Sequence, residues 1–433
     1  MYLLYNSLLY LVTILLLPVF ILLLIINKRY RDGLLQKLGI VPWQDIVVSG
    51  AGRPIWVHAV SVGEVMAALP LIRELKRVFP RQPVLLSTAT ATGKATAERS
   101  SNYIDRIIFF PFDFPLCARL FISRIQPLAF IALETELWPN FLRELKRRNI
   151  PAVMVSGRIS SRSFPRYRMF RFFFSRVLAN LCLCCMQSPA DAQRIVELGA
   201  QPDAVRVTGN LKFDQVLPEV SRELQEKLCG ELNLKPGQPV FIAGSTHPGE
   251  EEIVLAAFRE LKKSFPELAL ILAPRHPGRF DEVASLIQET GMPFGRKTVL
   301  QGGAAGSCDV ILLDTIGELA TLYSIATVVF IGGSLVPVGG HNVLEAAVFK
   351  KPVLFGPHMD SCAEIAGAMK QNGGGILVAS LPELIEQTQK LLSDRDLRES
   401  AGARAYQVVA ENSGALHRNM KILQPIIEQQ AAL

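Results

Sequence analysis

Little in this sequence could hold a metal ion. Its seven cysteines, Cys117, Cys182, Cys184, Cys185, Cys229, Cys308 and Cys362, lie mostly among apolar neighbours. "CLCC" (182–185) invites a zinc reading, but no partner Cys or His pair stands at ligand spacing. Buried thiols in a reducing cytosol are expected instead. There is no internal repeat and no low-complexity tract, which argues against a repeat array or a disordered linker. Neither a Walker lysine pattern nor a G-x-G-x-x-G occurs, which argues against ATP and NAD. Nor does a basic tail or nucleic-acid motif accompany the net charge of +7. That charge suits an anionic membrane or phosphorylated substrates.

Charge is also missing from residues 1–27, which are nearly all apolar from Tyr2 to Ile26. The segment is long enough to cross about 30 Å of hydrocarbon. It lacks the basic start and the small-residue cleavage site of a secretory signal. "KRYRDGLLQK" follows, and positive charge on that flank predicts that the bulk of the chain is cytoplasmic. Asn6, Ser7 and Pro18 leave a second reading open, a helix lying on the membrane or docked on the protein. Both place the body at the inner face of the cytoplasmic membrane.

The remaining length suits two domains. With 49% apolar and 20% charged residues the chain folds. "PIWVHA", "PVLLST", "RIIFFP", "LAFIALE", "AVMVSG" and "LCLCCMQ" read as strands, with helices such as 65–79 and 139–148 between them. A second series follows: "PVFIAG", "LALILAP", "DVILLD", "TVVFIGG", "PVLFG" and "GILVA". Its helices fall at 250–265, 280–290, 317–325 and 342–349. Apolar strands alternating with helices predict parallel sheets covered on both faces. The fold class is thus α/β, with two doubly wound Rossmann-like domains, 28–215 and 238–433, facing a cleft. Residues 216–237 lose pattern and read as the linker.

Polar groups gather where such sheets build sites. His58, His247, His276, His341 and His358 stand at or just after predicted strands. So do Glu134, Glu136, Arg158, Lys212, Ser245, Arg275, Asp314 and Glu318. Singly, each is an ordinary loop residue; together they mark one edge of both sheets. In "VHAVSVGEV" (57–65), Glu64 opens a helix and reads first as a carboxylate favouring its dipole. In "LETELWPN", Glu134 and Glu136 alternate along a strand end, so one can face a site while the other caps or pairs. Lys212 in "GNLKFD" either offsets charge on a leaving phosphate or pairs with Asp214.

The second half reads in the same way. In "IAGSTHPGEEE", Ser245 and Thr246 can cap a helix, with Glu250, Glu251 and Glu252 favouring its dipole. "LAPRHPGRF" offers Arg275, His276 and Arg279 to a phosphate from a loop stiffened by Pro274 and Pro277. "DTIGELATLY" places Gly317 and Glu318 at a helix start, where capping and binding compete. In "FIGGSLVPVGGHNVLEAA", Gly339 and Gly340 let a ligand near backbone amides, and Asn342 and Glu345 lie one helical turn apart. A carboxylate there suits ribose hydroxyls, so a nucleotide sugar fits best. Finally, residues 157–176 interleave six arginines, among them Arg158, Arg162, Arg166, Arg168 and Arg171, with six aromatics. That mixture suits an anionic lipid surface.

These motifs match a family. The chain resembles the 3-deoxy-D-manno-octulosonic acid (Kdo) transferases of Gram-negative lipopolysaccharide synthesis. The likeness covers nearly the whole chain, through "SVGE", "ETELWPN", "GRIS", "GNLKFD", "GSTHPGEE", "PRHPGRF", "GGHNVLEAA" and "FGPH". It implies a GT-B fold, CMP-Kdo as donor, a lipid A precursor as acceptor, inversion at the anomeric carbon, and neither cofactor nor metal. It assigns the general base to Glu64 and transition-state support to Glu134 and Lys212. CMP contacts fall on Arg275 and His276, on Ile316, Gly317 and Glu318, and on Asn342, Val343, Leu344 and Glu345, with Ser245, Gly339 and Gly340 in the donor loops. Two other readings remain: another membrane-associated GT-B glycosyltransferase, and a non-catalytic tethered lipid- or nucleotide-binding protein. The second would not need Glu64.

Overall fold

A computed structural model describes residues 1–26, 31, 33–40, 52–214, 220–300 and 308–432. The chain divides into two compact units, Met1–Gln215 with Asn412–Leu433, and Val216–Glu411. Both are α/β with wholly parallel seven-stranded sheets.

The first unit contains β1 (Ile55–His58), β2 (Val84–Thr88), β3 (Arg106–Phe109), β4 (Ala129–Leu133), β5 (Ala152–Gly157), β6 (Leu183–Met186) and β7 (Val205–Val207). They lie in the order β3-β2-β1-β4-β5-β6-β7. The chain leaves β1 toward one edge and β4 toward the other. The loops after these two strands therefore diverge, which opens a crevice at their carboxyl ends. Alternation along the strands buries both faces. Trp56, Phe130 and Ala132 join one core with Phe110, Phe121 and Phe141. Ile55, Val57, Ile131 and Leu133 join the other with Leu71 and Leu75.

The second unit contains β8 (Val240–Thr246), β9 (Ala269–Pro274), β10 (Phe294–Arg296), β11 (Val310–Leu312), β12 (Val328–Ile331), β13 (Val353–Phe355) and β14 (Gly375–Leu377). Their order, β10-β11-β9-β8-β12-β13-β14, puts its reversal between β8 and β12.

Every strand expected from an apolar run is present, and two more are added, β7 and β10. Each has three residues and occupies a sheet edge. An edge strand pairs on one side only, so "VRV" and "FGR" form strands without a long apolar run.

The expected domain limits need two corrections. Part of the expected linker is the helix Arg222–Glu231, capped by Ser221; residues 215–219 lie outside the described ones. The chain's last helix, Ala415–Ala431, belongs to the first unit, not the second. Its stripe of Ala415, Met420, Leu423 and Ile427 completes the core on one face of the first sheet. The Asp214 carboxylate accepts the Gly414 and Leu416 N–H groups, both at 2.6 Å, and so anchors that helix at its start.

Candidate active site

Glu64 lies at the switch point of the first sheet, on the helix Val62–Val78 that follows β1. The local sequence S-x-x-E forms a reciprocal cap. Ser61 Oγ accepts the Glu64 N–H at 3.3 Å, donates to Glu64 Oε1 at 2.8 Å, and Val60 N–H donates to Oε2 at 2.7 Å. This cap, readable in the sequence, holds the carboxylate in one orientation. Glu64 is only 9% exposed. Burial pushes its carboxyl above the ordinary glutamate range, and the Glu134 charge adds to that push. The bonds from Val60 and Ser61 and the nearby Lys212 ammonium oppose it without cancelling it.

Glu134, Glu136 and Lys212 complete the cluster. Glu134 follows β4 in a left-handed conformation (φ 56°), costly for a non-glycine residue. Its N–H donates to Val155 O at 2.8 Å, which holds the turn. Lys212 Nζ donates to Glu134 Oε1 at 2.8 Å, so the alternative pairing with Asp214 is overturned. The Lys212 turn is tied to β5 by the Leu211 N–H, which donates to Ser156 Oγ. Glu136 accepts from Trp138 Nε1 at 2.9 Å. Burial pushes its carboxyl up to about 7, with Glu64 and Glu134 contributing. Nothing in its spacing singled it out over Glu134. His58, by contrast, is core. It is fully buried, stacks on Phe110 at 3.9 Å, and burial pushes its pKa down to about 3.

In the second unit, loops after β8, β9, β11 and β12 carry the expected donor residues. Ser245 has φ 58° and does not cap the following helix, Glu250–Ser264, as expected. The N-cap is Gly249, and the first turn is organised by Glu250. That side chain is wholly buried and accepts from four backbone N–H groups: His247 (3.0 Å), Gly333 (2.6 Å), Ser334 (2.9 Å) and Leu335 (2.9 Å). A dipole role fails to account for this; Glu250 is the fastener between the β8 loop and the first glycine pair. Glu251 is also buried and pairs with Arg279 at 2.7 Å. Arg279 is therefore committed to carboxylates and not to a phosphate. Arg275 and His276 stay exposed.

Three histidines converge beside the glycine loop. His247 Nε2 and His341 Nε2 are 2.8 Å apart with stacked rings, and His276 meets His247 edge-on at 5.3 Å. Burial, then the Arg275 charge, pushes His341 down to about 4, so it is neutral at physiological pH. Asn342 Nδ2 donates to Glu345 Oε1 at 3.2 Å, so these two face each other as well as one direction. Burial raises the Glu345 carboxyl while Arg275 draws it back. The Val343 and Leu344 side chains are core, which leaves only their backbone for a ligand. Gly339 and Gly340 both have positive φ, and a Cβ on Gly340 would strike Met359 Sδ at 2.3 Å. Close packing of 358–361, not ligand access alone, demands glycine there. Ile316 is 65% exposed and Gly317 has open space beside it. Glu318 bonds the wholly buried Lys297 and Thr315. Burial pushes its carboxyl up, but those partners outweigh burial and leave it below the ordinary range. Lys297 had no sequence signal. Among the described residues no group of three or more His, Cys, Asp or Glu is placed to hold a metal.

The basic segment lies elsewhere. Arg162, Arg166, Arg168 and Arg171 are exposed on or beside the helices Phe164–Met169 and Arg171–Leu178, whereas Arg158 is tied by its N–H to Thr135 Oγ1.

Two parallel α/β units, each with polar groups at its switch point, define the GT-B class. The same fold occurs in a putative UDP-N-acetylglucosamine 2-epimerase from Listeria monocytogenes, with a TM-score of 0.58, 13% identity, and coverage of 88% of this chain and 98% of that one. A glycosyltransferase from Rickettsia africae superimposes with a TM-score of 0.57, 15% identity, and coverage of 87% and 99%. Residues 32–215 match the family described as 3-Deoxy-D-manno-octulosonic-acid transferase (kdotransferase). The 3-deoxy-D-manno-octulosonic acid transferase of Haemophilus influenzae is 36% identical over 431 residues, 98% of each chain. The chain belongs to the Kdo transferase family and is a glycosyltransferase.

Proposed function

We propose that the chain moves Kdo from CMP-Kdo to a lipid A precursor, lipid IVA, with inversion, Glu64 acting as general base. The observation that carries this reading is a buried, doubly fastened carboxylate with raised basicity at the switch point of the first sheet. An acceptor hydroxyl attacks the anomeric carbon of Kdo. Its proton passes to Glu64, and the bond to the CMP phosphate breaks with its electron pair going to the phosphate. Glu134 holds Lys212 in place, and that ammonium supports the charge of the transition state. Arg275 and His276 take the nucleotide phosphate. The Asn342–Glu345 pair takes ribose hydroxyls, and the backbone of Ile316 and Gly317 meets the base. The enzyme works at the inner membrane with both units in the cytoplasm.

The test is transfer from labelled CMP-Kdo to tetra-acylated lipid A precursor, with products read by mass spectrometry. A product heavier by one or more Kdo units is expected. Transfer from a UDP sugar instead, or no transfer to this acceptor, would remove the substrate assignment.

The base must be ionised, so its raised pKa sets an acid limb. kcat/KM should fall as pH drops through that pKa, above the ordinary value of 4.5. Glu134→Gln removes a neighbouring negative charge and releases Lys212. The lost charge lowers the Glu64 pKa, so the acid limb should move to lower pH while the maximum rate falls. An unmoved limb in the pH profile would show that another group sets it.

A further inference from the structure

One buried nitrogen beside the Glu64 cluster is left without a hydrogen bond. His58 is fully buried on β1, and among the described residues nothing bonds its Nε2. Its other nitrogen, Nδ1, lies 2.9 Å from Ser87 Oγ and 3.2 Å from Ser87 O. A carbonyl oxygen only accepts, so Nδ1 carries the ring proton. Burial keeps the ring neutral at physiological pH, and stacking on Phe110 at 3.9 Å holds its plane. Nε2 is therefore a lone pair in the core that lacks a donor. Glu136 Oε2 lies 4.0 Å from it. That gap is about 1 Å longer than a hydrogen bond, within reach of a side-chain rotation. An ionised carboxylate cannot donate across it; a protonated one can.

The surroundings of Glu136 favour the proton as well. The charges that face it are both acidic: Glu64 from the helix Val62–Val78 and Glu134 from the end of β4. Lys212, the ammonium of the cluster, is bound to Glu134 at 2.8 Å. Trp138, at the entry of the next helix, donates Nε1 to Glu136 Oε2 at 2.9 Å. That bond favours the anion, but burial and the two acids outweigh it. Three ionised carboxylates against one ammonium would leave two net negative charges in the cluster. With Glu136 neutral, one remains.

We propose that Glu136 is a positioning residue for the transfer reaction and works as a neutral acid, its proton directed at His58 Nε2, so that an anionic sugar can approach Glu64. The inference rests on the reading of Kdo transfer, because Kdo is an acid and brings its own carboxylate to the site. The Glu136 proton takes no part in making or breaking bonds. The acceptor's proton still passes to Glu64, and Glu136 keeps its own throughout. Ionised, Glu136 would set a second negative charge against the sugar.

The proton is read first on the free full-length chain, without substrate. Infrared difference spectra between about pH 6 and about pH 8.5 are expected to show a carboxylic-acid carbonyl band that disappears with a midpoint of about 7 and is missing from Glu136→Gln. Transfer is read second. The working form is protonated, so kcat/KM for CMP-Kdo should fall as pH rises through that midpoint, about 30-fold by about pH 8.5. Glu136→Gln is neutral at every pH, and its amide can donate to His58 Nε2, so this fall should disappear. Trp138→Phe removes the bond that favours the Glu136 anion, so the fall should move to higher pH. A fall that stays in place in both variants would overturn the proposal, as would a free chain in which Glu136→Gln removes no such band. Failure of the substrate reading looks different: the band titrates as expected, yet no Kdo is transferred at any pH, which would overturn the positioning role while leaving the shared proton in place.

Discussion

Glu64→Gln is expected to slow Kdo transfer by about 10²- to 10⁴-fold, the usual share of a positioned general base. The amide keeps the size of the carboxylate and one oxygen to accept from Val60 or Ser61. The fold should therefore survive, with the midpoint of thermal unfolding lowered by no more than about 4 °C. Binding of CMP should be unchanged, since the residues proposed to take it lie in the second unit. Rate, melting and CMP titration together separate a lost base from a damaged fold. Near-normal turnover by the purified variant would end the assignment. A lost rate with lost melting would move Glu64 to a purely structural role, its capping box being the alternative account of the same position.

Glu250→Ala is expected to have the largest effect on stability. It would leave four backbone N–H groups without their acceptor, three of them on consecutive residues of the glycine loop. One buried unsatisfied donor costs about 1–3 kcal/mol. Even with relaxation and entry of water, a loss above about 3 kcal/mol should follow for the second unit, or roughly 6–12 °C in its unfolding midpoint. CMP affinity should fall as well, because the loop that carries His341 and Asn342 is fastened through Gly333 to this carboxylate. Calorimetry of the unfolding transition is the direct measurement. A shift of less than about 2 °C would show that the four donors find other acceptors.

The two residues differ in how far the sequence reveals them. The doubly wound class, the strands that flank both switch points and the edge that gathers the polar groups all follow from apolar runs and turns. Glu64 stands in an S-x-x-E pattern whose cap follows from residue type and spacing alone. Glu250 sits in a run of three glutamates that local reasoning treats alike. Only the return of β12 beside β8 gives Glu250 a different task from Glu251 and Glu252. The Lys212–Glu134 pair is hidden for the same reason, since its partners are far apart in sequence and Asp214 is the nearer choice. The last helix is assigned to the wrong unit by its sequence because an apolar stripe states that it must be covered, not by which sheet.

That last helix has a consequence for how the protein is made. Val216–Glu411 is threaded into the first unit as an insertion, since chain from both sides of it forms one core. During synthesis the first sheet emerges early, yet the stretch carrying Ala415, Met420, Leu423 and Ile427 reaches it only after the whole second unit has left the ribosome. At about 5–20 residues per second, the apolar face that this helix covers stays open for tens of seconds, a window in which a chaperone or the nearby lipid surface can occupy it.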